Sequence, residues 1–446
     1  MKITGPTGLV VGTLLLGAQP AFAQSQKPTA EDLDQRIRIL ERKLELSQEE
    51  ADKKAKDSAA VSASEKGFSI KKGDFELKLR GLFQTDARIF VDDDGAFNDT
   101  FLFRRLRPTF EGSLGKLVGF RLTPEFAGDA ATVVDAYFDL KFSPAATLRA
   151  GKVKGPVSLE RLQSGSAIAF IERGFPTELA PNRDIGVQLQ GALFNSTFNY
   201  IVGYYNGVAD GRDAATRDVD NRKEVGVRVF AEPFKNVGGA LAGLGFGVGG
   251  THGSQFGSAV GNGGVLPQYR TPGQNTFFKY ATDVAANGDH TRVSPQAYWY
   301  VGAFGVLTEY IQSEQTVALA DVEEGIRNTA WQVATSFVLT GEDASYRGVT
   351  KPSQPFTLGG EGWGAFELIA RYGELSVDDV AFDAGLASIN SSAREARSLG
   401  VGANWYLSPN VKVVLNYTQT EFDGGAAGGA DRSEEKAVFA RLQLAY

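Results

Sequence analysis

The chain has 446 residues, a formal net charge of −7, no cysteine, and only two histidines, His252 and His290, both in expected loops. The missing thiols exclude a disulfide scaffold, zinc-thiolate sites and cysteine nucleophiles, and so sparse a histidine set argues against a histidine metal centre. The acidic balance argues against nucleic acid as a partner, although acidic outer loops can mask a cationic interior, and no feature of the chain calls for a cofactor.

In chain order, Lys2 precedes the apolar run Leu9 to Ala18, and Ala21-Phe22-Ala23 precedes Gln24. This predicts a cleavable signal peptide over residues 1–23, too short to span a bilayer. Residues 24–58 form the next segment. Within it Leu33, Ile37, Leu40 and Leu44 follow alternating steps of four and three among charged residues, which predicts a short coiled coil. Its expected role is a periplasmic, trimer-forming stalk; a solvated amphipathic helix is the plainer alternative. Residues 59–73 read as a polar linker, and a barrel domain is expected over 74–446.

From about residue 74 the apolar period changes to two. Phe75, Leu77, Leu79, Phe83, Ala87, Ile89 and Val91 alternate with Glu76, Lys78, Arg80, Gln84, Asp86 and Arg88, a run too long for an ordinary soluble strand. The same rule recurs at Val118 to Phe126, Val134 to Phe142, Ile185 to Leu193, Val225 to Val229, Phe304 to Tyr310, Trp331 to Leu339, Phe366 to Tyr372, Val401 to Trp405 and Val411 to Tyr417. It ends at Val438, Ala440, Leu442, Leu444 and Tyr446 on one face, with Phe439, Arg441 and Gln443 on the other. About sixteen such segments predict an all-β, transmembrane antiparallel β-barrel with a short N-terminal coiled-coil helix, set in outer-membrane lipid. Ser143-Pro144, the Gly302 region and Leu407 to Asn410 read as tight periplasmic turns. Asp210 to Arg222, Ser254 to Asn275, Val317 to Glu324 and Gly424 to Asp431 read as long outer loops. The 53 Gly, 30 Phe and 14 Tyr suit barrel walls bordered by aromatic belts, to which Trp299, Trp331, Trp363 and Trp405 are assigned.

A set of strings occurs in order along this barrel: Phe103-Arg104-Arg105, Val134-Asp135-Ala136-Tyr137, Arg149-Ala150-Gly151-Lys152, Leu159-Glu160-Arg161, Phe170-Ile171-Glu172-Arg173, Leu339-Thr340-Gly341-Glu342, Trp363 to Leu368, Gly402 to Tyr406 and Arg441-Leu442-Gln443. Together they resemble the phosphate-selective porin O and P family. The resemblance implies a sixteen-stranded homotrimeric outer-membrane barrel, narrowed by an inward third loop, that conducts phosphate or polyphosphate past cationic side chains. By the same resemblance, Arg104 and Arg105 match paired arginines near the eyelet and Asp135 an acidic residue that shapes the site. Arg173 matches an eyelet-loop arginine and Ser164 one of two loop serines. The second serine is Gly165 here, a lysine position is Ser166, and an arginine-dense outer ladder is reduced to Arg270 near Pro267 to Gln274.

The residues themselves fit such a pore. The segment Lys154 to Arg183 is the natural constriction loop, and it holds Arg161, Arg173 and Arg183 beside the small hydroxyls of Ser164 and Ser166. Arginine keeps its charge and its fork matches paired oxygens of an anion. Arg104, Arg105 and Arg107 could instead pair with Glu111 or Asp135 and hold the wall, and the loop arginines could anchor the loop. The expected function is a passive anion porin, not an enzyme, since His252-Gly253-Ser254 on a Gly-rich stretch is no triad. A differently selective porin, or a structural barrel with a cell-wall-tethering stalk, remains the alternative.

Overall fold

The computed structural model describes residues 29–446 apart from 93–96, 216–217, 219 and 259–264. The expected signal peptide lies outside the described residues. The chain divides at Ser58 into two units. In the first, helix α1 (Ala30–Asp57) has 28 residues, roughly 42 Å at the usual helical rise. Thr29 starts it through a reciprocal cap: its hydroxyl accepts from the Asp32 backbone N–H (3.2 Å), and its own N–H donates to the Asp32 carboxylate (3.2 Å). Leu33, Ile37, Leu40 and Leu44 are all exposed along it. The seam is present on a single helix; its assembly into a coiled coil stays an expectation.

The second unit begins with a hairpin, β1 (Ala60–Ser64) and β2 (Gly67–Lys72), where a linker was expected. Its cause lies in strand lengths. Strand β3 (Phe75–Val91) closes the barrel against the last strand from Leu82 to Val91, which leaves its first residues with a free edge. Strand β2 covers that edge from Leu79 to Phe75. The wall continues through β4 (Thr100–Leu114), β5 (Val118–Glu125), β6 (Thr132–Ser143), β7 (Ala146–Val153), β8 (Asp184–Leu193), β9 (Phe198–Tyr205), β10 (Glu224–Ala231) and β11 (Leu244–Ser258). A ribbon of β12 (Gln268–Arg270) and β13 (Thr276–Lys279) stays out of the wall. Then follow β14 (Ala285–Val301), β15 (Phe304–Leu319), β16 (Val322–Val338), β17 (Ala365–Ser376), β18 (Ala393–Tyr406), β19 (Val411–Gly424) and β20 (Glu435–Ala445). The result is a closed antiparallel barrel of 16 strands, as the alternation predicted.

The faces follow the sequence register. On β20, Phe439, Arg441 and Gln443 are buried inward while Leu442 and Leu444 are exposed outward. Three of the tryptophans gather at the rim that carries the C-terminal Tyr446: Trp405 stacks on Phe366 (5.7 Å), its indole N–H donates to Trp363 O (2.7 Å), and that of Trp299 donates to Ala240 O (2.7 Å). By the general barrel rule this is the periplasmic rim.

Several local expectations differ from the structure. Val317 to Glu324 is a continuation of β15 and β16 around a two-residue turn, Ala320–Asp321; its few polar residues are strand residues that outreach the wall. His252 and His290 lie in β11 and β14, not in loops. Residues 339–364 make a long excursion at the rim expected to carry only tight turns. Part of it folds inward, where the Tyr346 hydroxyl donates to Leu159 O (2.5 Å) and Gln163 Nε2 to Tyr346 O (2.6 Å).

The lumen is filled unevenly. Residues 154–183 fold into it, carrying helix α2 (Leu159–Leu162) and a 3-10 turn (Phe175–Glu178). Residues 265–284 pack beside them, and Tyr269, Phe277, Phe278 and Val284 meet the apolar inward residues Ile311, Val317, Ile326, Leu375 and Phe422 of the wall. Helix α3 (Val380–Asp383) adds Ala381 to that cluster. This half of the barrel is plugged by a hydrophobic core, and open space remains along β3 to β9.

Candidate anion pathway

The site starts from an irregularity in β4. Gln84 of β3 faces Arg105 but Thr85 faces Phe103, so Arg104 is the extra residue of a bulge. Strict alternation would turn one of two adjacent arginines toward lipid; the bulge aims both inward while Phe101 and Phe103 stay outside. Arg107, two residues on, shares the inward face.

The inward loop is fixed to the wall mainly through its own backbone. Lys412 Nζ donates to Ile168 O (2.9 Å), Arg441 Nη1 to Ile171 O (2.8 Å), Arg371 Nη1 to Glu172 O (3.0 Å), and the Ile171 N–H to Asn416 Oδ1 (2.8 Å). Gln84 ties wall to loop, donating to Gly165 O (3.0 Å) and accepting from Arg105 Nη1 (2.5 Å). At the loop's start Pro156 lies so near β10 and β11 that a Cβ on Gly226 would sit 2.7 Å from its ring and one on Gly249 2.2 Å from its carbonyl. Glycine at both positions permits that approach.

Two cavities flank the loop. The outer, about 360 Å³, is lined by eight arginines against four carboxylates. The inner, about 570 Å³, reaches Glu65, Lys66 and Tyr446 at the periplasmic rim and carries Arg80, Arg121, Arg149 and Lys154. Arg107, Gly165 and Arg183 line both, which makes these three residues the neck between them.

All eight residues singled out in the sequence line this route. Arg104, Arg105, Arg161, Arg173, Arg183 and Arg270 reach the outer cavity, and Asp135, Ser164 and again Arg183 the inner one. Their electrostatic states differ. Arg104 grips Glu172 with Nε (2.5 Å) and Nη2 (3.0 Å). Arg183 pairs with Asp135 (3.2 Å). Arg107 pairs with Glu125 (2.5 Å), while Glu111 instead serves Arg80 (2.7 Å) and Arg121 (3.4 Å). Pairing within the wall is therefore seen for Arg107, with Glu125 in place of the expected partners, whereas Arg104 pairs with the inward loop.

Arg105, Arg161, Arg173, Arg212 and Arg270 have no carboxylate at ion-pair distance among the described residues. Arg173 donates to the carbonyls of Glu160 and Gln163 (2.9 Å each), and Arg161 to Asn182 Oδ1 (3.1 Å) and Thr177 O. Buried Nε atoms of Arg105 and Arg161 have no partner at all. Ser164 and Ser166 bond each other (2.9 Å) below the neck.

The loop's titratable groups feel this crowding. Burial, then the neighbouring Arg161 charge, pushes the Arg173 guanidinium down from its ordinary value. Burial and the Arg173 and Arg183 charges hold the Lys154 ammonium well below the usual lysine range. Burial alone would raise the Glu172 carboxyl, but the guanidiniums of Arg104 and Arg88 hold it well below the usual carboxylate range. Cations whose charge is disfavoured beside one another, with unpartnered donors, form a surface that an anion would relieve.

Sequence reasoning weighed Arg107 with Arg104 and Arg105 between conduction and wall pairing without setting it among the site residues, though its spacing from Arg105 gives the face, and it missed Lys154 and the inward Arg149. Arg149 pairs with Asp139 (2.7 Å) and lies over the Tyr137 ring at 3.9 Å. Arg212 carried no local signal, since only the folding of residues 206–215 toward the lumen brings it to the site.

A closed antiparallel barrel with an aromatic rim, an inward loop and a polar route through its lumen defines an outer-membrane pore. The chain matches the family described as Phosphate-selective porin O and P over residues 75–446, and it belongs to that family of bacterial outer-membrane porins. It is 24% identical to Porin O of Pseudomonas aeruginosa over 88% of this chain and 92% of that protein. An uncharacterized protein of Caulobacter vibrioides is 26% identical over 69% of this chain and 62% of its own length. Among solved structures, the outer membrane channel DcaP of Acinetobacter baumannii is similar with a TM-score of 0.54 at 12% identity, covering 84% of this chain and 99% of that one. OmpF of Salmonella typhi gives 0.54 at 12% identity over 85% and 100% of the two chains, and these two likenesses speak to the fold alone.

Proposed function

We propose that this porin is a passive, anion-selective diffusion channel for phosphate or polyphosphate, working as a homotrimer. The observation that carries the reading is the excess of unpaired guanidiniums in the outer cavity: Arg105, Arg161, Arg173, Arg212 and Arg270 face a space whose remaining free carboxylates are Glu178 and Asp213. Each guanidinium offers paired donors to the oxygens of a phosphate, and in a narrow, poorly hydrated pore each contact gains strength. Several stations, continued below the neck by Lys154 and by the carboxylate-paired and so weaker Arg149 and Arg80, keep any one from trapping the ion. Asp135 takes the role of orienting Arg183, and Ser164 offers a hydroxyl where the neck opens inward. The exposed apolar seam of α1 supports the trimer-forming stalk.

The test is titration of phosphate into a chloride current through single channels. Block by phosphate at low concentration, weakened in Arg173→Ala and Arg105→Ala, is the expected result. Indifference of the wild-type current to phosphate would defeat the specificity.

A further inference from the structure

We propose that Glu172 is a tethered counter-anion: its carboxylate occupies an oxyanion seat formed by Arg104 and Arg88 in the outer cavity, and it thereby sets how tightly a permeant oxyanion is held. The inference rests on the anion-channel reading above and adds to it a residue that limits affinity.

The geometry is that of a bound ligand. Arg104 approaches the carboxylate with two donors, Nε at 2.5 Å and Nη2 at 3.0 Å, and Arg88 adds Nη2 at 2.7 Å. This is how a guanidinium fork and a second arginine receive two oxygens of a phosphate or carboxylate. Glu172 is 5% exposed, yet it lines the outer cavity next to Arg104, Arg105 and Arg173. Unpartnered Nε atoms on Arg88 and Arg105 leave donor capacity around the seat even with Glu172 in place.

The loop does not depend on this side chain alone for its hold on the wall. The peptide units on either side of Glu172 are already fixed by Arg441 on Ile171 O, Asn416 on the Ile171 N–H and Arg371 on Glu172 O. The carboxylate is thus free to act on the pore, where it removes the charge of the first inward arginine of β4 from the set available to a passing anion. A phosphate that reaches Arg105 must share Arg104 with a competitor that never diffuses away. Weaker holding and faster release follow, which suits conduction over storage.

The experiment uses the full-length porin in planar bilayers, with inorganic phosphate titrated into a chloride current and reversal potentials read in a KCl gradient, for wild type, Glu172→Gln and Glu172→Gln with Arg104→Gln. The glutamine keeps the shape and an acceptor oxygen but removes the charge. The expected result is a fall of about tenfold or more in the half-blocking phosphate concentration in Glu172→Gln, a shift of reversal potential toward the anion limit, and return of both toward wild type in the double variant. Wild-type block with an unchanged Glu172→Gln value would overturn the inference and leave the phosphate reading standing. If phosphate blocks no channel, the phosphate reading fails, and the KCl reversal potential decides alone: an anion-ward shift in Glu172→Gln upholds the counter-anion, and none sinks it. A larger conductance with lost selectivity in Glu172→Gln would show a strut instead and also overturn it.

Discussion

Strands β3 to β9 and strands β14 to β19 obey the same outward rule, yet their inward faces differ. The first set presents Arg80, Arg105, Arg107, Arg121 and Arg149 to open space. The second presents Ile311, Val317, Ile326, Leu375 and Phe422 to a packed core that residues 265–284 fill. Lipid fixes the outer face of every strand, since each must satisfy the same solvent. The inner face answers to whatever the lumen holds there, water and ions on one side and a folded loop on the other. The pore is therefore off-centre, with one wall of charged side chains and another of loop backbone.

The two halves should also break differently. Phe277 is fully buried and meets the ring of Phe175 at 5.9 Å and that of Phe422 at 6.2 Å. Phe277→Ala should cost about 3–5 kcal/mol, read as a lowered denaturant midpoint of the refolded barrel, with anion selectivity retained. On the open side, Asp86 holds Arg441 through two bonds of 2.6 and 2.7 Å, with both side chains buried. Asp86→Ala should cost a similar amount, about 3–5 kcal/mol, by leaving a buried charge unpaired. Because Arg441 also holds Ile171 O, that variant should disturb conductance as well. Equal loss of selectivity in both variants would erase the distinction between the halves.

Smaller effects belong to the pathway. Arg173→Ala should weaken phosphate block about 10- to 100-fold, the range expected for one or more charge-assisted hydrogen bonds of about 1.5–3 kcal/mol. Lys154 gives the pH dependence. Its ammonium is held well below the usual lysine range by burial and by Arg173 and Arg183, so its charge is present at low pH and is lost at a lower pH than that of an ordinary lysine. Phosphate block should weaken as pH rises through that loss of charge and should not in Lys154→Arg; equal pH profiles for the two would contradict the assignment. Smallest is Gly165→Ala: its methyl would lie 3.3 Å from Arg105 Nε, so conductance should fall modestly with the anion preference kept.

Much of this fold was legible because a membrane enforces period two over long runs. The strand count, the faces of β20 and the long segment between Val153 and Asp184 that folds inward all followed from that pattern. What escaped it depends on contacts far apart in sequence. The β4 bulge that turns both Arg104 and Arg105 inward appears only in pairing with β3. The plug made by residues 265–284 hides behind a stretch that reads as a polar outer loop, and the inward fold of residues 339–364 behind the rule that periplasmic turns are short. Strands β15 and β16 pair with each other beyond the end of β17, so their polar tips, Thr316 and Glu324 among them, mimic a loop. At the site, arginine identity was legible but its partner was not: Glu125 and Glu172 decide that Arg107 and Arg104 are neutralised while Arg105 and Arg173 stay available.

The most direct test of the account is the reversal potential of the purified wild-type channel in a planar bilayer under a chloride gradient, repeated with phosphate as the anion. An outer cavity with more unpaired guanidiniums than free carboxylates predicts a reversal near the anion limit in both salts and a smaller, saturating current in phosphate. Reversal toward the cation limit, or a phosphate current that rises without saturation, would contradict it.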